Sequence, residues 1–224
     1  MGRAQAAWDI VSAVALVAAS AILMADLVMA LTGELQLALL LLLQGLVVLI
    51  GLRLLLMRRR QTWADVGLAA LRLRDIPRAL LALASCVAAN LVLTSWMFLE
   101  EPAGLQEHLD ILRQVALRLG ADRSLAALGA MMLFVGVYEE LAARGFLLAR
   151  FRVALPGTAL PVLCSALLFG LGHVYQGWIG VAQTTLLGIV LAAYTLRWGT
   201  LWPAILAHAA LNTVSVFVVQ HIAQ

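Results

Sequence analysis

The chain has 224 residues, of which 64% are hydrophobic and only 12% are charged. Because a water-soluble domain is about half apolar and about a quarter charged, this composition excludes a soluble globular domain and predicts a protein whose solvent is lipid. The net charge of +3 is too small to indicate nucleic-acid binding, so the lipid bilayer is the first expected partner.

Seven apolar runs predict an all-α, polytopic bundle of about seven transmembrane helices, since about 20 apolar residues cross a bilayer as a helix. The runs are 8–31, 35–57, 79–99, 125–148, 161–173, 178–196 and 201–219. The fifth run is short and the sixth contains Gly180 and Gly188, so both are expected to be buried by neighbouring helices.

Two polar segments between the runs contain interleaved leucines, which predicts one or two further helices in the membrane interface. Segment 58–78 is rich in arginine, and segment 100–123 has apolar residues at helical spacing from Leu105 to Leu119. We therefore expect a single integral membrane domain, 1–224. Its N-terminal spans and surface helix occupy 1–123, and a helical core that carries the candidate chemistry occupies 124–220.

The arginines predict the orientation of the bundle. With the N-terminus in the cytoplasm, only Arg113, Arg118 and Arg123 of the fifteen basic residues fall outside. Positive residues concentrate on the cytoplasmic side of membrane proteins, so this placement is favoured. All fifteen are arginines, which is typical of a GC-rich bacterial genome and suggests the inner (cytoplasmic) membrane of a bacterium.

Three polar motifs interrupt the late runs, where charged side chains cost at least about 2.5 kcal/mol each and usually serve a site. The first motif is Glu139-Glu140-Leu-Ala-Ala-Arg144. Glu140 and Arg144 are four residues apart, in the order that favours a helical ion pair. That pair neutralises Glu140 and leaves Glu139 as the candidate general base. The alternative is that both acids only hold helices together.

The other two motifs place pairs of side chains on shared helical faces. Phe169-Gly-Leu-Gly-His173 ends the fifth run, and His208-Ala-Ala-Leu-Asn212 lies in the last run. Since His208 and Asn212 both donate hydrogen bonds, they suit the stabilisation of an oxyanion. The simpler alternatives are an interfacial His173 and a hydrogen-bonded pair that joins helices.

The candidate residues also share a depth. These residues are Glu139, His173, His208 and Asn212. The cytoplasmic ends of their runs lie near Arg150, Pro161 and Gly199, and counted from these ends the four residues are 11, 12, 9 and 13 positions into the membrane. At a rise of ~1.5 Å per residue, these positions reach roughly 14–20 Å, near the middle of the bilayer. Three helices therefore bring a base, two imidazoles and an amide to one level.

The motifs E-E-x-x-x-R, F-x-x-x-H and H-x-x-x-N, in this order on successive helices, resemble those of the CPBP family. This is the CAAX protease and bacteriocin-processing group, which includes the type II CAAX prenyl endopeptidases. The resemblance covers about 125–219 and does not extend to the first three spans. It implies a membrane endopeptidase whose catalytic groups lie in a cavity between helices.

The resemblance also implies a role for each motif residue. Glu139 and His173 are expected to activate a water, and His208 and Asn212 to hold the oxyanion. The supporting residues are Glu140, Arg144 and Phe169. Glu139, His173 and His208 could instead bind zinc with an open position. However, no H-E-x-x-H helix is present and Asn212 is a poor zinc ligand, so a glutamate-based mechanism without a cofactor is favoured.

A second class of function stays open: a non-proteolytic membrane protein such as a bacteriocin self-immunity factor, a scaffold or a small carrier. No motif residue is missing, which favours the enzyme. The expected substrate is a membrane-associated protein or peptide, and no feature selects between a prenylated C-terminus and a leader or sorting tail. Among the other polar residues, Asn90 is interpreted as interfacial or packing, and Gln183 and Thr184 as candidates to line a cavity.

Overall fold

The computed structural model describes residues 1–120 and 123–222, and within these ranges it contains helices and no strand. The helices are α1 Arg3–Thr32, α2 Leu37–Arg58, α3 Asp75–Glu100, α4 Pro102–Gly120, α5 Leu125–Glu140, α6 Leu148–Ala154, α7 Ala159–Leu171, α8 Gly177–Trp198 and α9 Trp202–Ile222. A π-helix, Leu141–Leu147, joins α5 directly to α6. The predicted all-α bundle is confirmed.

Six helices in the described ranges are long and apolar enough to cross a membrane, and the segment Leu125–Ala154 is one of them. The seventh predicted span, α7, is apolar but has only 13 residues. At ~1.5 Å per residue such a helix covers about 20 Å, less than the ~30 Å hydrocarbon core. The chain is therefore an integral membrane protein with about seven spans, of which α7 crosses only in part.

The short helix α7 packs one face against its neighbours, among them α8, as its length and glycines predicted. The two helices pack along each other, and a Cβ atom on Gly170 would lie 2.7 Å from the carbonyl oxygen of Val181. No side chain fits at that distance, so glycine is required for the close approach of the two backbones.

One of the expected one or two interfacial helices forms. Between α2 and α3, in segment 58–78, the chain makes a single 3₁₀ turn, Ala64–Val66, which is followed by Gly67 with a φ of 92°. A left-handed glycine stops a helix, so this segment is a connection. Segment 100–123 does form a helix, α4, but Leu105, Ala116 and Leu119 are buried against the bundle. Helix α4 thus covers the other helices and exposes its polar face together with Leu109 and Leu117.

A buried ionic network fixes α1 to the rest of the bundle. The Asp9 carboxylate accepts hydrogen bonds from Arg59, which follows α2, and from Nε of Arg150 in α6 at 3.0 Å. Nη2 of Arg150 also donates to Oε1 of Gln61 at 2.6 Å. Because Asp9 and Arg150 are only 3% and 1% exposed, each charge depends on the other for its stability.

We predict that Asp9→Ala destabilises the protein, because it leaves the Arg150 guanidinium buried without its carboxylate. Loss of one partner of a buried pair costs about 3–5 kcal/mol, which thermal unfolding of the purified protein in detergent micelles will detect. Asp26→Ala is the matched control, since Asp26 lies on the same helix and is exposed. Equal unfolding temperatures for the two variants would contradict the prediction.

Candidate active site

The first motif lies where α5 changes into the π-helix. Glu140 is the last residue of α5, and Arg144 lies within the π-helix. The guanidinium Nη1 donates to Oε1 of Glu140 at 2.8 Å, and both side chains are fully buried. The predicted ion pair is therefore present, although the helix between the two residues is wider than an α-helix. Single π turns of this kind occur frequently at functional sites.

Glu140 also binds the third motif. The same oxygen, Oε1, lies 2.8 Å from Nδ1 of His208 on α9. An ionised carboxylate only accepts hydrogen bonds, so Nδ1 carries the proton and Nε2 points away from Glu140. Glu140 thus joins α5 to α9 and fixes the orientation of the imidazole. This contact spans 68 residues of sequence, and no spacing rule predicts it.

Glu139 has a different environment from its neighbour. Its Oε2 lies 3.6 Å from Nε2 of His208, and its side chain is 18% exposed. That separation is too long for a hydrogen bond, and Oε2 itself is buried without a partner among the described residues. Oε2 of Glu140 also lacks a partner there, so the two acids differ in their other contacts. Glu140 is bound to Arg144 and His208 through Oε1. Glu139, the acid that the sequence left without a helical partner, makes no such pair with an arginine in the described part of the chain.

The ring of Phe169, in the second motif, contacts charged and aromatic side chains. The Arg144 guanidinium carbon lies 4.1 Å from the ring centroid, a cation–π contact. The ring centroids of His173 and His208 lie 4.9 and 5.9 Å away. Phe169 is therefore in contact with a residue of each of the other two motifs, which is the supporting position expected of it.

His173 lies beyond the end of its helix. The fifth run was expected to continue as a helix to this residue, but α7 ends at Leu171 and a 3₁₀ turn, Val174–Gln176, follows. The ring Nδ1 lies 2.9 Å from the carbonyl oxygen of Phe169. Since a carbonyl oxygen only accepts, Nδ1 donates this hydrogen bond and Nε2 is left for another partner.

One cavity of about 200 Å³ connects these groups. Its walls include the motif residues Glu139, Phe169, His173, His208 and Asn212. The structure thus brings all four proposed catalytic residues to one space between α3, α4, α5, α7, α8 and α9. A space of this size holds several waters, given about 30 Å³ of liquid volume for each.

The cavity also has polar walls that the motifs do not include. Gln183 and Thr184 line it, as the sequence allowed, and Asn90 and Gln176 join them. Asn90, which was interpreted from the sequence as interfacial or packing, thus also faces this space. Its only signal in the sequence is an amide within an apolar run, which many packing residues share.

The three residues named for the zinc alternative are not gathered into one ligand set in this structure. Glu139 and His208 approach each other, but no group of three His, Cys, Asp or Glu side chains in the described ranges is close enough to hold one metal ion. Zinc in an enzyme normally has three protein ligands and an open position. His173 therefore does not complete a ligand set with the other two residues in this geometry.

Comparison with known proteins agrees with the motifs. Residues 121–214 match the sequence model of the family described as Type II CAAX prenyl endopeptidase Rce1-like. The matched range holds all three motifs, so the predicted family resemblance is confirmed over these residues. The match supports an intramembrane endopeptidase at the level of the family. No curated protein and no solved structure matches the chain.

We predict that Gly188→Ala destabilises the protein by displacing Arg144. A Cβ atom on Gly188 would lie 3.1 Å from Nη2 of Arg144 and 3.1 Å from Cβ of Ala166. Overpacking of this kind costs about 1–3 kcal/mol, which will lower the unfolding temperature in detergent micelles. Gly129→Ala is the matched control, because its nearest neighbour, Cγ2 of Thr213, is 4.0 Å away. The prediction fails if both variants unfold at the same temperature.

Proposed function

We propose that this membrane protein, whose residues 121–214 match the type II CAAX prenyl endopeptidase family, is an intramembrane endopeptidase of the glutamate type. One observation carries the proposal. Oε2 of Glu139 lies buried without a hydrogen bond, and Glu139 lines the same cavity as both imidazoles and the Asn212 amide. A buried polar atom without a partner is costly, and proteins retain such atoms mainly where a ligand or a reaction uses them.

Glu139 and His173 are the pair that would activate a water. His173 holds its proton on Nδ1, so Nε2 of the neutral ring accepts hydrogen bonds. Glu139 also accepts. A water between two acceptors directs both of its O–H bonds at them and its lone pair at the substrate carbonyl. Glu139 would take the proton as the water attacks, and the same proton then passes to the leaving amine.

His208 and Asn212 would stabilise the negative oxygen that forms on the carbonyl. Nδ1 of His208 donates to Glu140, so Nε2 donates to an oxyanion only when the ring carries both protons. The neighbouring charges favour the doubly protonated ring. Glu139 and Glu140 carry two negative charges and Arg144 one positive charge, so an imidazolium at His208 makes the group neutral. The Asn212 amide, one helical turn further along α9, supplies a second donor.

The membrane setting determines the class of substrate. The cavity lies within helices long and apolar enough to cross the bilayer, so the scissile bond must arrive on a membrane-associated protein or peptide. We place the chain in the bacterial inner membrane with its N-terminus in the cytoplasm, following its arginines. The bond cleaved would belong to a C-terminal tail, a leader or a prenylated C-terminus.

We predict that Glu139→Gln abolishes cleavage while the protein still folds and inserts. The amide has the shape of the carboxylate but cannot take a proton from water, so the rate falls by at least about a hundredfold. Terminal-peptide mass spectrometry will compare cells that carry the wild-type chain with cells that carry the variant. Protein termini that form with the wild-type chain and are absent with Glu139→Gln are the termini that depend on Glu139. Glu107→Gln is the control, because Glu107 is exposed on α4.

Two outcomes would reject the enzyme. If no terminus depends on Glu139, the chain does not cleave proteins in that cell. If, in addition, cells with His173→Ala keep the phenotype of cells with the wild-type chain, the activity of the chain in the cell does not need this residue. The non-proteolytic alternative, an immunity factor or scaffold, then becomes the better explanation. Unfolding temperatures of the variants, measured in micelles, separate these outcomes from misfolding.

The metal-free mechanism gives a separate prediction. Purified protein that produces Glu139-dependent termini in reconstituted membranes will keep its activity after treatment with a zinc chelator. Elemental analysis will find well under one zinc per chain. Loss of activity in chelator, with recovery on addition of zinc, would instead assign the chain to the metalloproteases.

A further inference from the structure

Helix α4 places a histidine against the back of the candidate site. His108 is 4% exposed, although α4 is an amphipathic helix with most of its polar residues in solvent. A histidine inside the bundle needs a partner for each ring nitrogen, because an unpaired polar atom in the interior costs about 1–3 kcal/mol. Both partners are present, and both belong to elements of the candidate site.

The first partner is the turn that carries His173. Nδ1 of His108 lies 3.2 Å from the carbonyl oxygen of Gln176, the last residue of the 3₁₀ turn. The carbonyl only accepts, so His108 donates. The same residue, Gln176, donates its backbone N–H to the carbonyl of His173 at 2.9 Å. The imidazole of α4 is thus two hydrogen bonds away from the backbone of His173.

The second partner leads to the cavity wall. The side-chain amide of Gln183 on α8 lies 3.0 Å from Nε2 of His108 and is also hydrogen-bonded to the side-chain amide of Asn90 on α3. In the tautomer with the proton on Nδ1, Nε2 accepts a hydrogen bond, and the Gln183 amide supplies it when its nitrogen faces the ring. Gln183 and Asn90 both line the cavity. One side chain from α4 therefore joins the His173 turn, α8 and α3.

The turn needs such support because helix geometry does not determine it. His173 lies two residues past the end of α7, and its neighbours Val174 and Tyr175 are 66% and 60% exposed. The packing of these two neighbours therefore does little to fix the position of the turn. The His173 ring is held by its hydrogen bond to the Phe169 carbonyl and its contact with the Phe169 ring. The hydrogen bonds of the turn and the contact with His108 position the backbone that carries this ring.

We infer that His108 is a positioning residue for His173, so that α4 contributes to the site through the polar contacts of this one side chain. This inference rests on the proposed function for its catalytic meaning, but its structural part stands without it. Nothing in the three motifs includes α4, and the matched family range begins at residue 121. The site therefore uses a residue from the N-terminal half of the chain.

The test measures backbone amide hydrogen exchange of the full chain in detergent micelles. His108→Ala removes the donor to Gln176, so exchange at 172–177 will rise about tenfold or more, in line with the loss of a buried hydrogen bond. His108→Gln keeps an N–H donor on a side chain of similar reach. Exchange at these residues will therefore return toward the wild-type rate.

Leu105→Ala is the matched control on the same helix. Leu105 is buried against Met97 and Ile179, so its truncation loosens the packing of α4 and leaves the polar contacts of His108 in place. We expect faster amide exchange in α4 itself and no selective change in the exchange rates at 172–177. If His108 served packing alone, Leu105→Ala and His108→Ala would change the exchange rates at 172–177 to the same extent. His108→Gln would then not restore the wild-type rates.

A second readout separates this inference from the proposed function. Termini that depend on Glu139 will form about ten to a hundred times more slowly with His108→Ala, because a displaced catalytic group loses that much rate, and His108→Gln will recover part of it. Unchanged exchange at 172–177 in His108→Ala overturns the inference whatever the activity. Raised exchange in a chain that produces no such termini leaves the positioning contact standing and rejects only the protease.

Discussion

The arrangement of the site depends on one buried carboxylate. Glu140 is fully buried within a span, where an unpaired charge is unstable, and one of its oxygens accepts from both Arg144 and His208. These donors belong to the π-helix and to α9, so the carboxylate fixes the two elements against each other. The guanidinium also lies over Phe169, and its Nη2 is 3.1 Å from the position that a Cβ atom on Gly188 would take. Helices α7 and α8 must therefore pack around the same pair.

This constraint explains how two adjacent acids have different tasks. Consecutive residues of a helix point about 100° apart, so when Glu140 turns inward to its two donors, Glu139 faces the cavity. His208 lies between them, hydrogen-bonded to one acid and 3.6 Å from the other. The bound acid orients the imidazole, and the free acid is left for chemistry. A second ion pair for Glu139 would remove the base that the proposed hydrolysis requires.

Much of this could be predicted from the sequence, because apolar runs and i, i+4 spacing report local geometry. They gave the all-α membrane bundle, the Glu140–Arg144 pair and the convergence of the motifs on one cavity. They failed where distant segments decide: the Glu140–His208 contact and the burial of His108. The position of His173 beyond its helix was also missed, since Gly170 and Gly172 fit a helix packing face as well as a helix end.

The early end of α7 has a physical consequence. Backbone that leaves the helix at membrane depth must find hydrogen-bond partners in the protein or in a water-filled cavity. The turn satisfies its amides locally, through Gly170 and His173, while the carbonyl of Gln176 depends on His108 of α4. A cavity able to hold water and a turn that holds an imidazole beside it thus need the same covering helix. For this reason α4, outside the matched family range, belongs physically to the site.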